Sequence, residues 1–208
     1  LKKNEICLTF DDGLKCQYEI ALPVLEDFQI KSFYFIYTSA YDTKPDLLEV
    51  SRYFRINFFK NTDDFYQLFF NSCDKNLNFF FKKNQKEIND SITKFKFYSL
   101  NDVKFRLVRD LLLSKKEYEN IMIKLFKTKK FDYKQFIKEL YLNKNELIKL
   151  HKLGNIIGLH SHNHPTKLNF LSYEDQMEEY MKNLQILSNL LEINKKEIKT
   201  MSHPCGNY

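Results

Sequence analysis

The sequence predicts an α/β fold with parallel strands. Three observations carry that prediction. A strand–helix–strand order opens the chain, the same alternation resumes after residue 143, and the two most unusual polar motifs fall just past strand ends. In parallel α/β architectures, ligands gather at the carboxyl ends of the strands.

Each element follows from its residues. "EICLTF" (5–10) reads as a short buried strand, broken by "DDG", whose Asp and Gly favour turns. Residues 18–28 place Ile20, Ala21, Val24, Leu25 and Phe28 at helical spacing, with Pro23 in the first turn, where a missing N–H costs little. "IKSFYFIYT" (30–38) is aromatic and β-branched and reads as a second strand. Strand, helix, strand implies a parallel pair with a right-handed crossover. From about 41 to 143 the text turns charged and Phe-rich, with helical windows near 62–72, 101–113, 115–127 and 133–142. No glycine lies between 14 and 153, which argues against tight strand–turn–strand structure there. This stretch reads as a mostly helical insertion, and its "FYQLFF" and "NFFF" runs read as core. Residues 143–154 form a helix capped by Asn143 or Asn145, lined by Leu147, Leu150 and Leu153, and closed at Gly154. "NIIGLHS" (155–161) is a strand. "SYED" (172–175) has capping-box spacing and opens a helix with Met177, Met181, Leu184, Leu187 and Leu191 on one face. "IKTMSHP" (198–204) is the last strand-like stretch.

Composition excludes several classes. With 208 residues and 43% apolar content, the chain is long enough for one domain with a real core. No apolar run is long enough to span a bilayer. "LKKNEICLTF" lacks the pattern of a signal peptide, which sets the expectation of a cytoplasmic protein, although the chain does not begin with Met. Cys7, Cys16, Cys73 and Cys205 form no CxxC pair and read as free thiols. The net charge of +6 comes with neither an Arg cluster nor a nucleic-acid motif, so no nucleic-acid partner is expected.

Two motifs carry chemistry. "TFDDG" (9–13) sets two carboxylates side by side at a strand end, where repulsion favours a cation on one of them. Its plain alternative is an Asp-Gly turn. "HSHNHP" (160–165) puts His160, His162 and His164 within five positions. Imidazole is the commonest metal-binding side chain. Which of the three converge depends on where the backbone leaves the strand, and Asn163 and Pro165 favour a departure there. A catalytic zinc site needs three protein ligands and an open position, which two His and one Asp would satisfy.

"TFDDG", "HSHNH" and "SHPCGNY" (202–208), in this order, resemble the polysaccharide deacetylases of carbohydrate esterase family 4. The resemblance covers about 1–40 and 144–208. It implies an irregular parallel (β/α) barrel, incomplete in this chain, with the helical insertion of about 41–143 lying inside a single deacetylase-like domain. It implies Asp11 as general base and Asp12, His160 and His164 as ligands of a divalent metal, zinc first, with cobalt or nickel as alternatives. His162 would then lie outside the ligand set, and Ser161 would support the loop. In the third motif Ser202 stands where the family has Arg, and Cys205 where it has Tyr. The Cys205 backbone N–H would help hold the oxyanion. The family's general-acid histidine belongs to a motif beyond Tyr208, which points to a fragment of a longer protein, and His203 is the substitute candidate.

The implied activity is hydrolysis of N-acetyl groups from a saccharide (polysaccharide, glycolipid or cell-wall sugar), with metal-bound water as the nucleophile. Two other readings stand beside it: a non-catalytic saccharide-binding or scaffold protein with a vestigial metal site, and an amidohydrolase acting on a small non-sugar amide.

Overall fold

The computed structural model describes residues 5–42 and 45–206. The chain divides into two compact units, 1–46 with 134–208, and 47–133. The first unit opens with β1 (Thr9–Asp11), α1 (Leu22–Asp27) and β2 (Phe33–Ile36). The second unit is helical: α2 (Leu48–Asn57), α3 (Thr62–Asn71), α4 (Leu77–Lys83), α5 (Gln85–Lys94), α6 (Leu100–Leu107) and α7 (Lys115–Thr128). α8 (Tyr133–Leu140) then leads to α9 (Lys144–Lys152), β3 (Ile156–Leu159) and α10 (Tyr173–Leu191).

The three strands make one parallel sheet in the order β1-β2-β3. Its register sets Asp11 opposite Phe35, and Phe35 opposite Gly158, so the last residues of all three strands share one edge. The α/β class and the parallel pairing agree with the sequence. The sheet is open, and a closed barrel is not seen among the described residues. The stretch expected as a strand at 198–204 makes one parallel bridge, Leu159 to Met201, and ends in a short turn at 204–206.

The first unit's core packs Tyr34, Ile36 and Ile157 of the sheet against Leu22, Leu147, Leu150, Leu187 and Leu191 of the flanking helices. Burying side chains of this size contributes about 1.5–3 kcal/mol each. Two expected helix faces are corrected. A π-helical turn over Gln17–Ala21, with its wider i→i+5 register, precedes α1; Leu25 is buried as expected and Leu22 joins it, while Ile20, Val24 and Phe28 face solvent. On α10, Leu187 and Leu191 are buried as expected, but Met177 and Met181 are exposed and the polar Asn183 is buried with them.

The caps were legible. Asn143, rather than Asn145, opens α9, with Glu146 returning the bond in a capping box, and Gly154 takes the left-handed conformation that ends the helix. Ser172 caps α10 by accepting from the Asp175 N–H.

The second unit has three of the four expected helices, near 62–72, 101–113 and 115–127, and three more, α2, α4 and α5, while the fourth expected helix, α8, falls almost wholly in the first unit. Its core is aromatic. Phe54 packs edge-on against Phe126 at 4.8 Å, and Phe69 against Phe105 at 4.8 Å, geometry that suits the ring quadrupole. "FYQLFF" buries Phe65, Tyr66 and Phe69, whereas in "NFFF" Phe79 is exposed and Phe80 and Phe81 pack on Ile88, Val103 and Leu107.

Candidate metal centre

The site grows from the shared edge of the sheet. Immediately after β1 the backbone turns, with Asp12 at φ 75° and Gly13 at φ 69°. Asp is among the few non-glycine residues that enter the left-handed region, and Gly takes the second position freely. This turn leaves Asp11 45% exposed and draws Asp12 inward, to 14%.

After β3 the chain leaves the strand at His160. Ser161 and His164 both have positive φ, 62° and 51°, so the segment coils back on itself. The Ser161 hydroxyl accepts from the His164 N–H at 3.1 Å and closes that coil, the supporting role expected of it. Two side chains from α10 hold the coil in place. Glu179 accepts from the His162 N–H at 3.0 Å and the Asn163 N–H at 2.7 Å. Asn183 accepts from the His160 N–H at 3.0 Å and donates to the Ile36 carbonyl at 2.9 Å and the Thr38 hydroxyl at 3.1 Å. One buried amide thus ties the ends of β2 and β3 together.

The result is a cluster. Among the described residues, Asp12, His160 and His164 form the group whose ligating atoms all lie within 4.8 Å of one another. Asp12 Oδ1 is 3.1 Å from His164 Nε2 and 3.5 Å from His160 Nε2. Ligands of a tetrahedral zinc at about 2.0–2.1 Å lie about 3.3 Å apart, so these spacings suit one ion. Asp12 Oδ1 is buried with the two imidazole nitrogens as its polar neighbours and no well-aligned hydrogen bond to either. A cation at the centre of the three atoms would satisfy this buried carboxylate better than those contacts do. The residues therefore fit a divalent metal.

Each ring is held differently. The His160 Nδ1–H donates to the Ser202 carbonyl at 2.9 Å, which leaves the Nε2 lone pair facing the carboxylates. His164 stacks at a tilt on Tyr37, ring centroids 5.1 Å apart. His162 turns to Thr38 and Asp42 instead. The Thr38 hydroxyl accepts from Asn183 and is hydrogen-bonded to His162 Nδ1, 3.0 Å away, and His162 Nε2 lies 3.6 Å from Asp42.

Electrostatics separate the two aspartates. Burial pushes the Asp11 carboxyl up, against the pull of His160, while the neighbouring Asp12 charge adds to the rise. Burial also opposes ionisation of Asp12, but the two imidazoles beside it win, and its carboxyl sits well below the usual range. His160 shows the converse: burial lowers its pKa, and the contacts with Asp12, the Ser202 carbonyl and Asp11 raise it further than burial depresses it. The Ser202 hydroxyl also lies against Asp11 and favours its charged form.

The remaining sequence candidates fall outside the cluster. His203 Nδ1 lies 2.8 Å from the Tyr180 hydroxyl of α10. Cys205 is exposed, in the left-handed region at φ 55°. Sequence reasoning missed Asn183, Glu179, Thr38 and Tyr37. Nothing local distinguishes Asn183 from any polar residue on an amphipathic helix, and its role exists only once β2, β3 and α10 meet.

The polysaccharide deacetylase family model matches residues 1–99. The resemblance carried by "TFDDG" is borne out over that span. The matched deacetylase segment runs past residue 40 into the first helices of 47–133, and it stops short of "HSHNH". The histidines thus join the site through geometry rather than through the match. A deacetylase domain is a hydrolase of amide bonds, with an acetylated saccharide as its class of substrate and a metal as its usual cofactor. Neither a curated protein nor a solved structure gives a match. Among the described residues no helix is long and apolar enough to cross a membrane.

Proposed function

We propose that the chain is the metal-dependent part of an N-deacetylase acting on a saccharide, with Asp12, His160 and His164 as metal ligands and Asp11 as general base. The observation that carries the reading is the convergence of those three donors with a second carboxylate beside them: Asp11 Oδ2 is 3.8 Å from His160 Nε2. A divalent ion there, zinc first, supplies Lewis acidity to the acetyl carbonyl and lowers the pKa of water.

The chain's own residues do the rest. Asp11 is exposed enough to reach a substrate, and its raised pKa makes it a better proton acceptor than an ordinary carboxylate. The Cys205 N–H is assigned to the carbonyl oxygen as its charge grows. His203 is assigned to protonating the departing amine, with Tyr180 orienting its ring. The products are acetate and an amino sugar. The helical segment 47–133 is read as an insertion into this domain.

The test is acetate release by zinc- or cobalt-loaded protein from chitooligosaccharides, peptidoglycan, N-acetylated glycolipids and nucleotide sugars. Asp12→Asn is expected to lose the metal. Asp11→Asn is expected to keep the metal and lose at least about a hundredfold in turnover. Bound metal with no turnover on any of these substrates would favour the non-catalytic saccharide-binding reading, and two variants with normal metal and turnover would overturn the residue roles.

A further inference from the structure

The chain has 29 lysines but four arginines, Arg52, Arg55, Arg106 and Arg109. In sequence these form two separated pairs, neither of which reads as a basic cluster. In the structure all four line one small pocket of the unit 47–133, together with Ser51 and Phe105, and no lysine lines it. Arg52 and Arg55 stand on α2. Arg106 stands on α6, and Arg109 on the π-helical turn Val108–Leu112 that follows, a distortion that concentrates at functional sites.

Part of this charge is neutralised within the unit. Arg55 Nη1 and Arg106 Nε share Asp102 Oδ1, at 3.3 and 3.1 Å. Arg109 grips Asp110 with two bonds of 2.6 and 2.8 Å, and Arg52 Nη1 is 2.8 Å from Glu49. Asp102, Asp110 and Glu49 thus pair with the four guanidinium groups among the described contacts. The Phe105 ring lies 5.5 Å from the Arg55 guanidinium and 5.8 Å from that of Arg109, so these heads are held in place without a ligand.

Two donors of the pocket are left over. Arg55 Nε and the Ser51 hydroxyl are buried without hydrogen-bond partners, and Ser51 is only 4% exposed. Unsatisfied buried groups cost about 1–3 kcal/mol each, which an acceptor in the pocket would offset. The choice of arginine names the acceptor. Where bare positive charge suffices this chain uses lysine, whereas arginine offers a rigid fork of five N–H donors matched to oxyanions. A planar carboxylate is served by one fork. Forks from two helical segments plus a hydroxyl suit a tetrahedral anion.

We propose that this arginine pocket binds a phosphate group, free or as a monoester. The site lies wholly within 47–133 and is independent of the deacetylase reading, so acetate release does not bear on it.

The experiment titrates the full chain by calorimetry with inorganic phosphate and with a hexose phosphate, at constant ionic strength with chloride as control. A chelator keeps the protein metal-free, so that phosphate cannot report on a metal at Asp12. Saturable binding is expected for both ligands. Arg52→Lys keeps the charge at a half-exposed position and is expected to weaken binding roughly tenfold. Ser51→Ala, which removes the orphaned hydroxyl, is expected to weaken it severalfold with an unchanged circular dichroism spectrum. Equal affinity for the two ligands supports a site for the phosphoryl group alone, and tighter binding of the monoester supports one that also touches the sugar. Absence of saturable binding above the chloride control would overturn the proposal, as would wild-type affinity in Arg52→Lys, Arg55→Lys and Ser51→Ala alike.

Discussion

His160 does two things with one ring. Nδ1 is spent on the Ser202 carbonyl, so Nε2 is the atom left to face Asp12 and Asp11. A histidine whose folded pKa is raised stabilises the metal-free protein fully below its unfolded pKa of about 6.5, and that contribution fades as pH climbs through the folded value. Metal binding needs the neutral ring, so the proton competes with the metal in the same window. Zinc affinity from a competition titration is therefore expected to rise with pH, approaching tenfold per unit while the ring of the metal-free protein is protonated, and to level off only above the folded pKa, which lies above 6.5. An affinity flat between about pH 6 and 8 would contradict the assignment of His160 as a ligand. At this scale much was legible: the adjacent aspartates and the crowded histidines were visible as chemistry. What the residues alone left open was which histidines converge, and the coil closed by Ser161 and Glu179 answers it for this structure.

The elements place these residues through close contacts that short motifs cannot show. Gly158 in β3 is the tightest. A Cβ there would lie 2.6 Å from Thr200 Oγ1 and 2.7 Å from the Phe35 ring, so only glycine lets β3 sit between β2 and the 200–202 segment. Gly158→Ala is expected to cost about 1–3 kcal/mol by chemical denaturation, because it pushes β3, which leads into His160, away from β2 and the 200–202 segment. A variant as stable as wild type, with unchanged metal affinity, would show that the strand edge is less constrained than described. Helix ends were the most legible elements: Asn143 with Glu146 and Ser172 with Asp175 work through contacts three residues apart, within one turn. Faces were less so, since the π turn before α1 changes which residues point inward.

At the level of the whole molecule, the two units are stabilised by different chemistry. The first relies on aliphatic packing around a small parallel sheet, the second on aromatic rings. Phe54 is fully buried and touches Phe58, Phe59, Phe65, Phe126 and Phe131. Phe54→Ala is expected to destabilise the unit 47–133 by about 3–5 kcal/mol, read by denaturant titration. A loss under about 1 kcal/mol would mean that neighbouring rings refill the space.

The sequence by itself determined the α/β alternation, the helix caps and the polar motifs past the strand ends, because those signals act over a few residues. The tertiary structure decided which distant residues meet. Asp12 reaches His160 and His164 because the parallel register aligns the ends of β1, β2 and β3, and Asn183 ties two of those ends to α10. The arginines of the second unit are the same case: two ordinary pairs in sequence become one pocket when Arg55 of α2 and Arg109 of the turn after α6 meet at the Phe105 ring of α6. Register and helix packing are long-range properties, set by the burial of whole faces, and no local pattern encodes them.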